Sequence, residues 1–176
     1  MNRLILIVIG ALSLAFVACS DRSAGKARPG QPKPVEKAVA AEAESLFNDA
    51  AFAMQVRDFA RAEQDMNRAV DLRSDIPEWW ELLGYSRKML GKTGDTRSAY
   101  KKALALWEKR YDEMGNVQVG IRHVYVLVLL DRLDEARSLV ERLSRKHPDD
   151  AGLQAFIRNK GIDLMLADPE VQKKKL

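Results

Sequence analysis

A segment near the middle of the chain repeats an earlier one at a fixed distance. Residues 59–72 (FARAEQDMNRAVDL) align with residues 96–106 (TRSAYKKALAL) at a shift of 34, which places Ala69 on Ala103 and Val70 on Leu104. A period of this length is typical of stacked repeat units, in which each unit buries its apolar face against its neighbours. From Glu42 onward, apolar residues recur at spacings of three and four, so the units are predicted to be helical.

The second unit carries a recognisable pattern. Trp80, Leu83 and Gly84 match W-x₂-L-G, and Tyr100 and Ala103 follow at matching spacing. The pattern resembles the tetratricopeptide repeat family. Arg87 and Thr96 depart from it, and no proline closes this unit. The resemblance implies an all-α fold over 42–166: a short solenoid of about three helix pairs plus a C-terminal capping helix.

The family resemblance also implies which residues pack between the helices. The packing positions are Leu46, Ala50, Ala62, Ala69, Trp80, Leu83, Gly84, Tyr100, Ala103, Ala136 and Pro148. Ala103 and its equivalent Leu143 are 40 residues apart, six more than one period. We expect the extra residues in a longer second helix and a longer turn at Gly115-Asn116, then one capping helix at 151–166 and a frayed tail at 167–176.

The first 41 residues differ from the rest of the chain. A basic start at Arg3 precedes an apolar run, Leu4–Ala18, that is too short to span a bilayer and suits a secretory signal peptide at 1–18. Small residues then precede Cys19, which resembles the lipidation site of bacterial lipoproteins, although Phe16 departs from its pattern. The alternatives are a plain signal peptide or an uncleaved anchor with a coincidental cysteine. Residues 19–41 hold three prolines and two glycines and are predicted to be a flexible tether.

The net charge of +4 belongs to this N-terminal part. Six of the 29 basic residues and two of the 25 acidic ones precede Glu42, which leaves 23 of each in the body. A neutral body and an export signal exclude nucleic acid as the expected partner, and the basic tether suits a lipid bilayer. By resemblance to lipoproteins, Ser20 after the cysteine favours the outer membrane of a bacterial cell envelope, facing the periplasm.

The sequence contains no recognisable catalytic motif. No metalloprotease, phosphate-loop, CxxC or nucleophile-elbow pattern occurs, and His123 and His147 are the only histidines. We therefore expect no enzyme activity, no metal site and no cofactor.

One stripe on the first helix of each unit is a candidate partner-binding groove. Residues at i, i+4 and i+7 share a helix face, and the stripe comprises Phe47, Ala51, Met54, Glu81, Tyr85, Lys88, Ile121, Tyr125 and Val128. The family uses this surface to hold peptides or helices. The sequence therefore predicts an adaptor that binds another envelope protein or peptide.

The sequence also allows a second interpretation of the function. In a self-assembling structural lipoprotein, Trp79 and the apolar segment 117–130 would form the contact face of a homo-oligomer, although we favour intramolecular packing for Trp79.

Overall fold

The computed structural model describes residues 28–176, and all regular secondary structure in this part of the chain is helical. Its nine helices are α1 (Lys37–Gln55), α2 (Phe59–Leu72), α3 (Pro77–Met89), α4 (Thr93–Met114), α5 (Val117–Leu129), α6 (Leu133–Lys146), α7 (Ala151–Arg158), α8 (Gly161–Ala167) and α9 (Pro169–Lys174). The all-α prediction is therefore confirmed for the described residues. The predicted signal peptide and Cys19 lie outside them. Helix α1 begins at Lys37, before the expected boundary at residue 42.

The first six helices form three hairpins, each built on the same turn. The pairs α1–α2, α3–α4 and α5–α6 pack together, and each hairpin also packs on the next. Each hairpin turn contains one residue with positive φ: Arg57, Gly91 and Asp131. The amide after that residue donates to the carbonyl five positions earlier, at 2.8 to 2.9 Å. These turns are 34 and 40 residues apart, the same two spacings that the sequence comparison gave.

The six additional residues lie within α4. This helix has 22 residues, against 14 in α2 and in α6, so it is eight longer. The following connection is the two residues Gly115 and Asn116, whereas the one after α2 spans the four residues 73–76. The eight additional residues of α4, offset by the two residues missing from the connection that follows, account for the six-residue difference between the two intervals. The expected longer turn is wrong, because Gly115 adopts φ 62° and ends α4 abruptly while Asn116 caps α5 directly.

Two apolar clusters make the core. The first cluster joins α1 to α4 around Met66, Trp79 and Leu83, and the second cluster joins α4 to α9 around Tyr100 and Leu143. Of the expected packing residues, Leu46, Ala50, Ala62, Ala69, Leu83, Gly84, Tyr100, Ala103 and Ala136 are buried.

The other two packing positions differ from expectation. Pro148 is exposed in the turn after α6, where its ring ends the helix instead of filling the core. Trp80 is half-buried and contacts both clusters.

The C-terminal region departs further from expectation. The single capping helix is divided into α7 and α8 at Asn159-Lys160, where Lys160 adopts φ 53°. Asp150 caps α7 by accepting from the Leu153 amide at 2.7 Å.

The tail expected to fray forms a helix. Asp168 accepts from the Glu170 amide at 2.8 Å, and Pro169 occupies the first turn of α9, where a missing amide hydrogen costs nothing. Val171 is then buried in the second cluster. The tail is therefore a packed part of the fold.

Residues 28–36, the part of the predicted tether that precedes α1 in the structure, lie against the helical body. The Gly30 amide donates to Glu113 on α4 at 3.0 Å, and the Lys33 amide donates to the carboxylate of Asp75. Through Gly30 and Lys33, the predicted tether therefore contacts the helical body at α4 and at the connection between α2 and α3.

Candidate binding groove

The first helices of the three hairpins, α1, α3 and α5, share a face that encloses a cavity of about 270 Å³. We call the residues lining it the groove. They are Phe47, Ala51, Glu78, Glu81, Leu82, Tyr85, Tyr100, Tyr125, Leu129 and Lys174. The walls are mainly aromatic and aliphatic, with two carboxylates and one ammonium group.

Five of the nine predicted groove residues line this cavity: Phe47, Ala51, Glu81, Tyr85 and Tyr125. Met54, Lys88 and Ile121 are half-buried and do not line it. Val128 is fully buried in the core, so its assignment to an open surface is wrong. The reason is that α5 packs against α4 and α6, and the C-terminal segment covers much of its remaining face.

The sequence reading missed five lining residues. Three of them carried a usable signal: Glu78 and Leu82 precede Glu81 and Tyr85 by one helical turn, and Leu129 follows Tyr125 by one turn. Tyr100 and Lys174 had no such signal, because they reach the groove from α4 and α9, which are remote in sequence.

Tyr100 enters the groove through a gap at Gly84. A Cβ atom on Gly84 would lie 2.3 Å from Cε1 of the Tyr100 ring, so only glycine allows the ring to cross α3 here. The closest approach to Gly84 is therefore made by the Tyr100 ring. The Tyr100 hydroxyl then donates to the carbonyl of Lys174 at 2.9 Å.

Glu81 is the most deeply held charged group of the groove. Its carboxylate accepts from the Trp107 indole at 2.6 Å and from the Arg122 guanidinium at 2.6 Å. Burial raises the pKa of Glu81, while Arg122 and Trp107 act in the opposite direction. Both carboxylate oxygens are thus engaged, and the group is a fixed part of the wall.

Glu78 differs from Glu81 because half of its carboxylate is unused. One oxygen accepts from Arg110 at 2.7 Å, and the other, Oε2, is buried without a hydrogen-bond partner among the described residues. The Arg110 guanidinium also lies 4.7 Å from the centre of the Trp107 ring.

Tyr100 and Tyr125 of the groove remain protonated at neutral pH. Burial raises the pKa of Tyr125 to about 12, and it also raises the pKa of Tyr100. Their hydroxyl groups can therefore donate hydrogen bonds to a ligand's carbonyl groups, as Tyr100 does to Lys174.

The two adjacent tryptophans lie beside the groove. Trp79 is 5% exposed and stacks on Phe47, with ring centroids 5.4 Å apart. The indole of Trp80 donates to the Ser74 carbonyl at 2.9 Å. Since Trp79 and most of α5 are buried within one chain, neither offers the homo-oligomer face considered from sequence.

The histidines are separate from the groove. His123 is buried in a small cavity with Glu108, Asp112 and Arg142, and His147 contacts the Tyr111 hydroxyl at 3.1 Å. Within residues 28–176, no group of three or more metal-ligating side chains is assembled. Over the same range, no helix combines the length and apolarity needed to cross a bilayer.

The predicted lipidation site, Cys19, lies outside the described residues, so the geometry bears only on the groove. Comparison with protein-family models and with curated proteins finds no match for the chain.

Proposed function

We propose that this chain is a non-enzymatic adaptor lipoprotein of the tetratricopeptide type, which binds another envelope protein and assists the assembly or stability of a complex. The observation that carries the proposal is the groove, where aromatic side chains at equivalent positions of successive first helices surround one cavity. Tyr85 and Tyr125 occupy the same place in their units, since both precede their hairpin turn by six residues.

The recurrence of the hairpin turn supports the repeat assignment. A solenoid of like units would place like hydrogen bonds at like intervals, and the three turns at Arg57, Gly91 and Asp131 do so. The six-residue difference between the intervals is accounted for by the longer α4, so it does not count against a common unit.

The groove suits binding better than catalysis. A general acid or base needs a carboxylate free to exchange a proton with its substrate. Glu81 is instead held by two donors, and Glu78 has one oxygen held by Arg110 and the other buried. Aromatic walls with a few fixed polar groups are typical of a surface that holds a peptide segment.

The test of binding is to replace Tyr85 and Tyr125 together by alanine and to measure capture of crosslinked envelope proteins in cells. We expect capture to fall about tenfold or more, since two aromatic walls are removed. Phe52→Ala is the matched control, because Phe52 is 57% exposed and lies outside the groove. Unchanged capture by a Tyr85→Ala/Tyr125→Ala variant with intact helicity would contradict the adaptor role.

We further propose that Cys19 is acylated and anchors the chain at the outer membrane, with the helical body in the periplasm. Cells supplied with a labelled fatty acid should label the wild-type chain and leave Cys19→Ala unlabelled, because the chain has no other cysteine. Separation of inner and outer membranes then locates the labelled chain. Equal labelling of both forms would rule out this anchor.

A self-assembling structural lipoprotein is the alternative. It would require a contact face other than Trp79 and α5, which are used inside the chain. Size-exclusion chromatography with light scattering on the detergent-solubilised chain distinguishes the two, since an adaptor has no need of a tight homo-oligomer.

A further inference from the structure

The C-terminal segment of the chain occupies one end of the groove. Val171 of α9 is 5% exposed and belongs to the same apolar cluster as Tyr100 and Leu129. Two hydrogen bonds to the main chain of this segment hold it in place. The Tyr100 hydroxyl donates to the Lys174 carbonyl at 2.9 Å, and the Leu176 amide donates to the Leu129 carbonyl at 2.9 Å. The segment thus uses the contacts that a bound peptide would use.

The same segment places positive charge in and beside the groove. The Lys174 ammonium lies 5.2 Å from the centre of the Tyr85 ring, within the range of a cation–π contact. Lys175 pairs with Asp131 at 2.6 Å. Glu78 and Glu81 line the same cavity, where they are paired with Arg110 and Arg122. The aromatic ring of Tyr85 is therefore the part of the groove that accepts a lysine side chain.

The tail leaves part of the groove unfilled. The cavity of about 270 Å³ is bounded by Phe47, Ala51 and Leu82 from α1 and α3, as well as by Lys174. A longer segment would cover this apolar part of the groove, which the tail does not.

The C-terminal tail is held to the helical body by a small number of contacts. Helix α9 has six residues, too few to be stable as a helix without its contacts. It is held by the buried Val171 side chain, by the two hydrogen bonds at Lys174 and Leu176, and by an ion pair whose Asp131 side chain is 55% exposed, and such exposed pairs add little.

We propose that α9 is a built-in competitor for the groove, and that the partner is a polypeptide with a lysine-bearing segment that displaces it. This inference rests on the proposed adaptor function and adds the partner's chemistry and its control. While the tail is docked, only a fraction of molecules is open to the partner, so the apparent affinity is reduced by that fraction.

The test uses a fluorescent peptide with the sequence of residues 167–176 (ADPEVQKKKL), added to the full-length chain in detergent. Val171→Asp in the chain undocks its own tail and leaves the other groove walls unchanged. We expect the peptide to bind this variant about tenfold or more tightly than the wild type, measured by anisotropy. A peptide with Lys174→Glu should lose this affinity.

Two further variants complete the test, one as a second way to loosen the tail and one as a control. Lys175→Glu places a carboxylate beside Asp131 and loosens the tail without altering the apolar core, so it should also raise peptide affinity if Val171→Asp does not fold. Lys173→Gln is the matched control, since Lys173 pairs with Glu170 on α9 itself and, among residues 28–176, with no other acid, so this variant should bind as the wild type does. Equal affinity in all folded chains would overturn the inference, and so would equal binding of the Lys174→Glu peptide.

The results separate this inference from the adaptor role. If the peptide binds the released groove while Tyr85→Ala/Tyr125→Ala leaves cellular capture unchanged, the adaptor function fails and the competition stands. If capture depends on the tyrosines but the peptide neither binds the opened groove nor displaces captured protein, the competition fails alone. A doubled mass in light scattering that Val171→Asp abolishes would make the occupant the tail of a second copy, and would overturn the partner assignment.

Discussion

Position within a helix, more than residue type, decides what each side chain does here. Trp79 and Trp80 are neighbours, but a step of 100° around the helix sends Trp79 into the first cluster and leaves Trp80 between both clusters. The family pattern marks residue 80 as the packing tryptophan, whereas the more deeply buried one is residue 79. The stack with Phe47 explains this, since it fills the space between α1 and α3.

His123 gives a prediction at the residue scale. Burial lowers its pKa, with Arg142 and Arg132 acting in the same direction and Glu108 and Asp112 against it. The folded chain thus keeps His123 neutral at a pH where the unfolded chain, with a pKa of about 6.5, takes up a proton. The free energy of unfolding should therefore fall as the pH drops below about 6.5.

Thermal unfolding followed between pH 8 and pH 5 measures this effect. His123→Gln should remove part of the loss of stability at low pH. His147→Gln is the control, because His147 is the only other histidine and is not buried. A His123→Gln variant with the full wild-type pH dependence would contradict the assignment.

At the scale of elements, α5 shows how a capping residue and neighbouring helices override the strand preference of β-branched residues. Its sequence, VQVGIRHVYVLVL, is rich in β-branched residues, which favour strands. It is nevertheless helical, because Asn116 caps its start and the helices on both sides offer no strand to pair with. The same capping role recurs at Asp58 for α2 and Asp150 for α7.

Removing the cap of α5 should therefore destabilise the fold. The Asn116 side chain accepts from the amides of Gln118 at 2.8 Å and Val119 at 3.3 Å. Asn116→Ala should lower the free energy of unfolding by about 1 kcal/mol, measured by urea denaturation. Asn116→Asp retains the acceptor and should stay close to the wild type. Equal losses in both variants would show that the cap is not the cause.

At the scale of the whole molecule, two clusters are joined by few shared residues. Trp80 packs against both of them, and its indole also fixes the turn before α3 through Ser74. In a linear array of helices, cooperative unfolding depends on such interfaces between neighbouring units. The side chain of Trp80 is therefore expected to couple the two halves of the array.

Trp80→Ala should lower the free energy of unfolding by about 2–4 kcal/mol and separate the transition into two. Hydrogen exchange should show α1 and α2 opening before α5 and α6. Trp79→Ala is the comparison, since Trp79 contacts the first cluster only and should destabilise the chain without separating its halves. A single transition in Trp80→Ala would refute this coupling.

The sequence by itself determined the helical class, the period of 34 and the interval of 40, because apolar spacing and turn residues are local properties that each unit repeats. It also placed Phe47, Tyr85 and Tyr125 on the groove-lining stripes of their three helices, since periodicity fixes which residues of each helix share a face. Only the tertiary structure decided that Val128 is covered, that Tyr100 crosses at Gly84, and that α9 returns to the groove. Those outcomes join residues as far apart as 74 positions, and contacts at such separations depend on how the helices pack, which no local pattern records.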